Sequence, residues 1–251
     1  MSYSFINLHK KSKVAFETEN YLIHRRIKSK LAYDDNYLEI KILPTTIEEM
    51  QYYIEANRAF FSGIGVNFIN IVLGENENLD KKIEKYLFSK NFHKNELDLY
   101  CLDVEKKNLK NTSEFEITLL DRKDYTNYLQ FIYEIDLEYA NKEWAEHNRE
   151  FIYDEIRGEE IIQLIAKDDN RIIASVNIIL SEDYFEIDNL YVEKKYRKKG
   201  IASSMISYAI KKFHKKFVIL VADSNDTPKY MYEKIGFDHI STRISYLKNE
   251  L

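Results

Sequence analysis

The chain predicts a mixed α/β fold of the α+β kind, and three observations carry that expectation. Apolar residues change period repeatedly along the 251 residues, between the alternations and short runs of strands and the three-to-four spacing of helices. Only 6 Gly and 2 Pro interrupt them, so each marks a particular boundary. With 45% apolar and 31% charged residues, the composition is that of a globular chain with a buried core rather than a disordered one. The 20 Tyr and 14 Phe, against one Trp, must fill much of that core.

In chain order, residues 36–43 read as a strand stopped at Pro44, 47–61 as a helix, 68–73 as an apolar strand, 79–90 as a helix and 97–102 as a strand. The polar stretch 104–113 reads as a linker, closing a first domain at 1–103 and opening a second at 114–251. There, 115–120 is a strand, and the spaced apolar and aromatic residues of 122–137 and 142–156 make two helices. Residues 161–166 and 171–180 are Ile- and Val-rich strands joined at Asp168-Asp169-Asn170, whose side chains tolerate positive φ. Strand 184–192 follows, then a helix in which Ile201, Met205, Tyr208, Ala209 and Phe213 recur at helical spacing. Strand 217–222 precedes a short helix at 227–235, opened by Pro228 and closed at Gly236, and 237–247 is the last strand.

The two halves look related. YLEI at 37–40 parallels YFEI at 184–187, 68–73 parallels 217–222, and LFSKNF at 87–92 parallels YEKIGF at 232–237, at offsets between 145 and 149 residues. This pattern points either to duplication or to two α/β segments that match by chance.

Several classes are excluded at this level. The single cysteine, Cys101, cannot form an intramolecular disulfide, and its apolar strand makes it a buried filler. Residues 1–13 lack an apolar signal-peptide core, and the longest apolar stretch, 59–73, is too short and polar to span a bilayer, so a cytoplasmic protein with no membrane partner is expected. The six histidines are scattered, so no metal is expected, and no GxSxG elbow is present. A net charge of −5 argues against nucleic acid as a partner, but it is unevenly spread. Residues 1–110 carry 17 basic and 16 acidic side chains, 111–188 carry 7 and 20, and 189–251 carry 13 and 6.

Five of the six residues at 194–199 are basic, and they lead into Gly200-Ile201-Ala202 between a strand and a helix. The first turn of a helix has N–H groups without internal partners and carries partial positive charge. Gly200 allows close backbone approach, so the RKKGIA loop at 197–202 suits a pyrophosphate. It is neither GxxxxGK[ST] nor GxGxxG.

At this point the sequence resembles the GNAT acetyltransferase superfamily. The family signature, [Q/R]xxGx[G/A] after a strand reading roughly EIxxLxV, is matched by Glu186-Ile187-Asp188-Asn189-Leu190-Tyr191-Val192 followed by the loop from Arg197 to Ala202. A second family segment is matched by Asn225 and by YEKIGF at 232–237. The resemblance covers about 138 residues and implies a GNAT fold at 114–251: a mixed, mostly antiparallel, twisted sheet flanked by helices, in tandem with a degenerate GNAT-like domain at 1–103 that has lost the glycine and the basic loop.

It further implies an acetyl-CoA-dependent N-acetyltransferase with coenzyme A as a partner. By resemblance, Arg197, Lys198, Lys199, Gly200, Ile201, Ala202 and Ser203 hold the pyrophosphate. Leu190, Tyr191 and Val192 present a strand edge to the pantetheine arm, which Asn225 also contacts. Tyr232 corresponds to the acid that protonates the departing thiolate; otherwise it is a core aromatic. Glu186 sits where several members place a base. On an extended strand Glu186, Asp188 and Leu190 share a face, so Glu186 and Asp188 form a candidate carboxylate pair, and ordinary surface acids are the alternative. The acidic 111–188 segment fits a cationic small-molecule or peptide amine acceptor, with Tyr133, Glu143 and Trp144 as candidate contacts. Other readings compatible with the sequence are a catalytically silent coenzyme A-binding sensor or scaffold, and a tandem-GNAT aminoacyl transferase.

Overall fold

A computed structural model describes residues 3–106, 113–225 and 228–249. The linker expected at 104–113 falls largely at 107–112, and the helix start expected at Thr227 falls at 227; both lie outside the described residues. The chain divides into two compact units. One comprises 1–99, 222–229 and 239–251, the other 100–221 and 230–238.

The first unit contains β1 (Lys13–Glu17), β2 (Tyr21–Arg25), β3 (Tyr37–Ile40), α1 (Ile47–Ser62), β4 (Phe68–Val72), α2 (Lys81–Ser89) and most of β5 (His93–Asp103). Strands β1, β2 and β3 pair antiparallel, and β4 lies parallel to β3 with Leu38 opposite Ile71. Alternation sends Leu38, Ile40, Ile69 and Ile71 to one face, where Met50, Ile54 and Phe61 of α1 and Ile83 and Leu87 of α2 cover them. Each such side chain contributes about 1.5–3 kcal/mol on full burial. Helix α1 starts at Thr46, whose hydroxyl accepts from the Glu49 N–H while Glu49 reaches back to the Thr46 N–H.

The second unit contains β6 (Glu116–Leu119), α3 (Tyr125–Tyr139), α4 (Lys142–Glu155), β7 (Ile162–Asp168), β8 (Arg171–Leu180), β9 (Tyr184–Val192), α5 (Ile201–Phe213), most of β10 (Phe217–Asp223) and α6 (Pro228–Ile235). Strands β6 to β9 form an antiparallel meander, and β10 adds parallel to β9. Asp169 turns β7 into β8 at φ 53°, as its sequence suggests. Tyr128 and Phe131 of α3 and Ile152 of α4 pack with Ile165 and Ile172. The buried Lys167 ammonium donates to Asp124 at the start of α3 at 2.5 Å, so neither charge is left unpaired. The whole is the mixed, mostly antiparallel α/β architecture that the sequence predicts.

Two features go beyond the sequence reading. Strands β1 and β2 were not anticipated. The final strand, β11 (Asp238–Asn249), runs antiparallel to β4, with Ser245 opposite Val72 and Asn249 opposite Phe68. Ile244 and Tyr246 complete the core of the first unit, so compactness divides the chain differently from a break between 1–103 and 114–251. No helix among the described residues is long and apolar enough to cross a membrane.

Candidate functional site

The site is built on β9. Its pairing with β10 runs from Tyr184 opposite Phe217 to Ile187 opposite Leu220 and ends there, so residues 188–192 leave the β10 ladder. On its other side the register with β8 shifts: Asp188 opposes Asn177 but Tyr191 opposes Ser175, which places an extra residue in β9. Asn189 takes it up at φ 49°, a left-handed conformation that asparagine tolerates. The bulge corrects one expectation. Glu186 and Asp188 share a face, but Leu190 does not continue it, because the extra residue breaks the alternation. Tyr191 takes that side instead, its ring edge-on to Phe131 of α3 at 5.8 Å.

Beyond β9, the loop 193–200 reaches α5. Its turn depends on two left-handed residues, Lys198 at φ 65° and Gly200 at φ 77°. Gly200 is the N-cap of α5, no side chain caps this end, and no acid lies in the first turn. The Ser203 hydroxyl donates to Gly200 O at 2.9 Å, and the Ser204 N–H closes the first helical bond to the same carbonyl at 3.0 Å. Ile201 is buried, whereas Ala202 and Ser203 are half-exposed. Lys198 and Lys199 are exposed, and the Lys199 ammonium lies 5.1 Å from the Tyr196 ring centre.

Arg197 turns back toward β9. Its Nε donates to Val192 O at 3.0 Å, its Nη2 donates to the Tyr139 hydroxyl at 3.0 Å, and its guanidinium lies over Tyr191 at 5.7 Å. Lys194 pairs with Glu138, whose carboxyl is held below its ordinary range chiefly by that hydrogen bond. Thus Glu138 and Tyr139, at the C-terminal end of α3, clamp the loop. The sequence reading did not single them out, although Tyr128, Phe131, Ile135 and Tyr139 follow helical spacing and mark the face that delivers them.

Asp188 lies among polar groups. Asn177 Nδ2 and Asn189 Nδ2 lie 3.4 and 3.0 Å from its carboxylate. The Tyr128 hydroxyl is buried, and burial pushes its pKa up; the nearby Glu155 and Asp188 charges add to this, against a hydrogen bond with Ser175. Glu186 is half-buried on the same strand face. Tyr232 is buried on α6, with Tyr100 and Phe237 at ring-centre distances of 6.2 and 5.7 Å. Gly236 ends that helix at φ 109°, and its N–H and that of Phe237 both donate to Tyr232 O at 3.0 Å. Asn225 is exposed in the turn after β10, its N–H donating to Asp223 Oδ1 at 2.7 Å.

Two of the three candidate acceptor contacts on α3 and α4, Tyr133 and Trp144, are engaged locally. Trp144 Nε1 and Asn148 Nδ2 donate to the two oxygens of Asp136 at 3.1 and 2.8 Å, and burial raises the pKa of that carboxyl. Arg149 lies over the Tyr133 ring at 5.7 Å. Glu143 is exposed in the first turn of α4. Cys101 is buried, and burial pushes its thiol up to about 11, which leaves little thiolate at neutral pH.

Residues 129–237 match the model described as Acetyltransferase (GNAT) family, and residues 3–100 match a domain of unknown function, DUF5613. No curated protein matches the sequence. Among solved structures, a functionally unknown conserved protein from Staphylococcus epidermidis superposes with a TM-score of 0.91 at 22% identity, over 99% of this chain and 98% of its own. A GCN5-related N-acetyltransferase from Sphaerobacter thermophilus gives 0.63 at 9% identity, over 94% and 82%. A tandem GNAT protein from the clavulanic acid biosynthesis pathway gives 0.54 at 10% identity, over 85% and 75%. At these identities the likeness is one of fold.

Proposed function

We propose, on the match of residues 129–237 to the model of the acetyltransferase (GNAT) family, that the protein is an acetyl-CoA-dependent N-acetyltransferase acting on an amine. The observation that carries the reading is the open end of α5. Gly200 is left-handed, no side chain caps the helix, and the adjoining stretch of β9 has left its β10 partner. These features fit the donor: the N–H groups of the first turn receive its pyrophosphate, with Lys198 and Lys199 adding charge. The edge of Leu190, Tyr191 and Val192 receives the pantetheine arm as an added strand would be received. Arg197, turned onto Val192 O, acts through its backbone and by fixing the loop. Asn225 is the remaining candidate contact to the arm.

Acetyl-CoA supplies an activated acyl group; the rest of the chemistry falls to the chain. A neutral-pH amine is mostly protonated, so Glu186 or Asp188, directly or through water, takes a proton before the nitrogen bonds to the acyl carbon. As the carbon–sulfur bond breaks, the Tyr232 hydroxyl protonates the sulfur, the bonded nitrogen sheds its second proton to water, a proton from solvent restores the Tyr232 hydroxyl, and amide and free thiol leave. The excess of acids over bases in 111–188 favours a cationic acceptor. Competition between polyamines or basic peptides and neutral or anionic acceptors tests that preference, and it is wrong if the latter prevail.

The burial of Tyr232 between Tyr100 and Phe237 supports a second reading, a coenzyme A-binding sensor in which that tyrosine is structural. The deciding experiment is a thermal-shift screen with acetyl-CoA and other acyl thioesters, followed by an amine panel monitored for thiol release. Stabilisation with amine-dependent thiol release supports the enzyme. Stabilisation without release by any amine supports the sensor, and no stabilisation by any thioester overturns both.

A further inference from the structure

The hairpin of β1 and β2 in the first unit carries a surface that acetyl transfer does not use. Residues 9–30 hold seven Lys and Arg against two acids, although 1–110 as a whole is nearly neutral. Strand β1 is an edge strand, paired with β2 and exposed along its length.

The charges are not arranged for stability. Lys13 stands directly opposite Arg25 across the two strands, and like charges so placed repel. Arg26 spends its charge within the protein, its Nη1 3.0 Å from Asp35 Oδ2, whereas Lys13 and Arg25 make no ion pair among the described residues. Apolar side chains stand among these cations. Ile27, between Arg26 and the exposed Lys28, is 76% exposed, and Val14, next to Lys13, is 51% exposed. A single exposed apolar residue is ordinary, but here aliphatic groups are set between cations on both strands' ends.

That combination matches the interface of an anionic bilayer, where headgroups meet the cations and acyl chains meet the apolar groups. A nucleic acid would meet the charges equally well, but its bases gain from stacking on rings, and Ile27 and Val14 offer none. The exposed ring of β1, Phe16, leans on Tyr21 at 6.1 Å. Peripheral attachment needs no helix that crosses the membrane. We propose that this end of the hairpin, with Lys13, Val14, Arg25, Ile27 and Lys28, docks the protein on an anionic lipid surface, Ile27 entering the headgroup layer.

Co-sedimentation of the full chain with vesicles tests this, comparing phosphatidylcholine alone with phosphatidylcholine containing about one-third phosphatidylserine. Binding should require phosphatidylserine and fall as salt is raised. Lys13→Gln combined with Arg25→Gln should weaken it about thirtyfold, roughly fivefold for each charge removed. Ile27→Ser should weaken it about tenfold to a hundredfold, and it carries the reading if the double variant fails to fold. The proposal is overturned if vesicles with phosphatidylserine do not bind, if phosphatidylcholine alone binds as well, or if binding is undiminished in either folded variant. A single-stranded oligonucleotide that displaces the protein from vesicles, and binds Ile27→Ser as tightly as the wild type, would make this a nucleic-acid surface and overturn the proposal likewise.

Discussion

Helices α1 and α5 occupy the same place in two copies of one motif, yet their N-termini are finished in opposite ways. Each joins a strand to a parallel neighbour, β3 to β4 and β9 to β10. Leu38 opposite Ile71 recurs as Phe185 opposite Val218, and Glu39 opposite Val72 as Glu186 opposite Ile219, each position 147 residues further along. At α1 the protein supplies its own anion: Glu49 Oε2 accepts from the Thr45 N–H at 2.6 Å and the Thr46 N–H at 3.3 Å, with Glu48 beside it. At α5 there is neither cap nor acid, and lysines precede a left-handed glycine. The difference shows how a strand–helix–strand unit is closed on itself or left open to an anion, as proposed for α5, according to what fills its orphan N–H groups. The strand ahead diverges too, since Glu39 is engaged by His24 and held below its ordinary range chiefly by that contact, with burial opposing.

The comparison can be broken at several points. The largest effect expected is on turnover: Tyr232→Phe should lower the rate of thiol release by about a hundredfold to ten-thousandfold, the usual contribution of general acid catalysis, while coenzyme A affinity measured by calorimetry stays unchanged. If turnover is kept, the two halves differ in binding alone. Next, Phe185→Ala and Leu38→Ala, at equivalent and fully buried positions, should cost about 3–5 and 2–5 kcal/mol in denaturant unfolding. A much smaller loss at one of them would deny that the motifs bury the same pair. Thr46→Ala should cost about 1 kcal/mol and leave donor binding intact, whereas a fall in affinity would move the site to α1. The smallest effect concerns pH. Hydrogen bonds, first from the Thr45 N–H, hold Glu49 below its ordinary range. A lowered folded pKa gives stability that is present above the unfolded value and lost as pH falls through the folded one. The melting-temperature advantage of the wild type over Glu49→Gln should therefore be seen at neutral pH and vanish on acidification below the carboxylate range of about 4.

Much of this contrast is legible in the sequence. The boundaries of α1, α4, β8 and β9 follow from period and punctuation, and the RKKGIA loop follows from its charge and its glycine. What escapes has physical causes. Strand β1 is exposed along its length and has no buried face to impose alternation, and β2 places His24 among its apolar residues. The pairing of β11 with β4 brings together residues far apart in the chain, with no local signal. The bulge at Asn189 reverses which later side chains face α3, and a single left-handed asparagine inside an alternating run does not announce itself. The clamp of Glu138 and Tyr139 on Lys194 and Arg197 is a tertiary event, visible only once α3 is laid over β9.

The central claim is that α5, and not α1, holds the donor. Calorimetric titration of coenzyme A into the wild type, Gly200→Glu and Thr46→Ala tests it most directly. The account predicts one site per chain, retained in Thr46→Ala and lost in Gly200→Glu, where a carboxylate is set into the anion site. Two sites per chain, or undiminished binding in a folded Gly200→Glu protein, would contradict it.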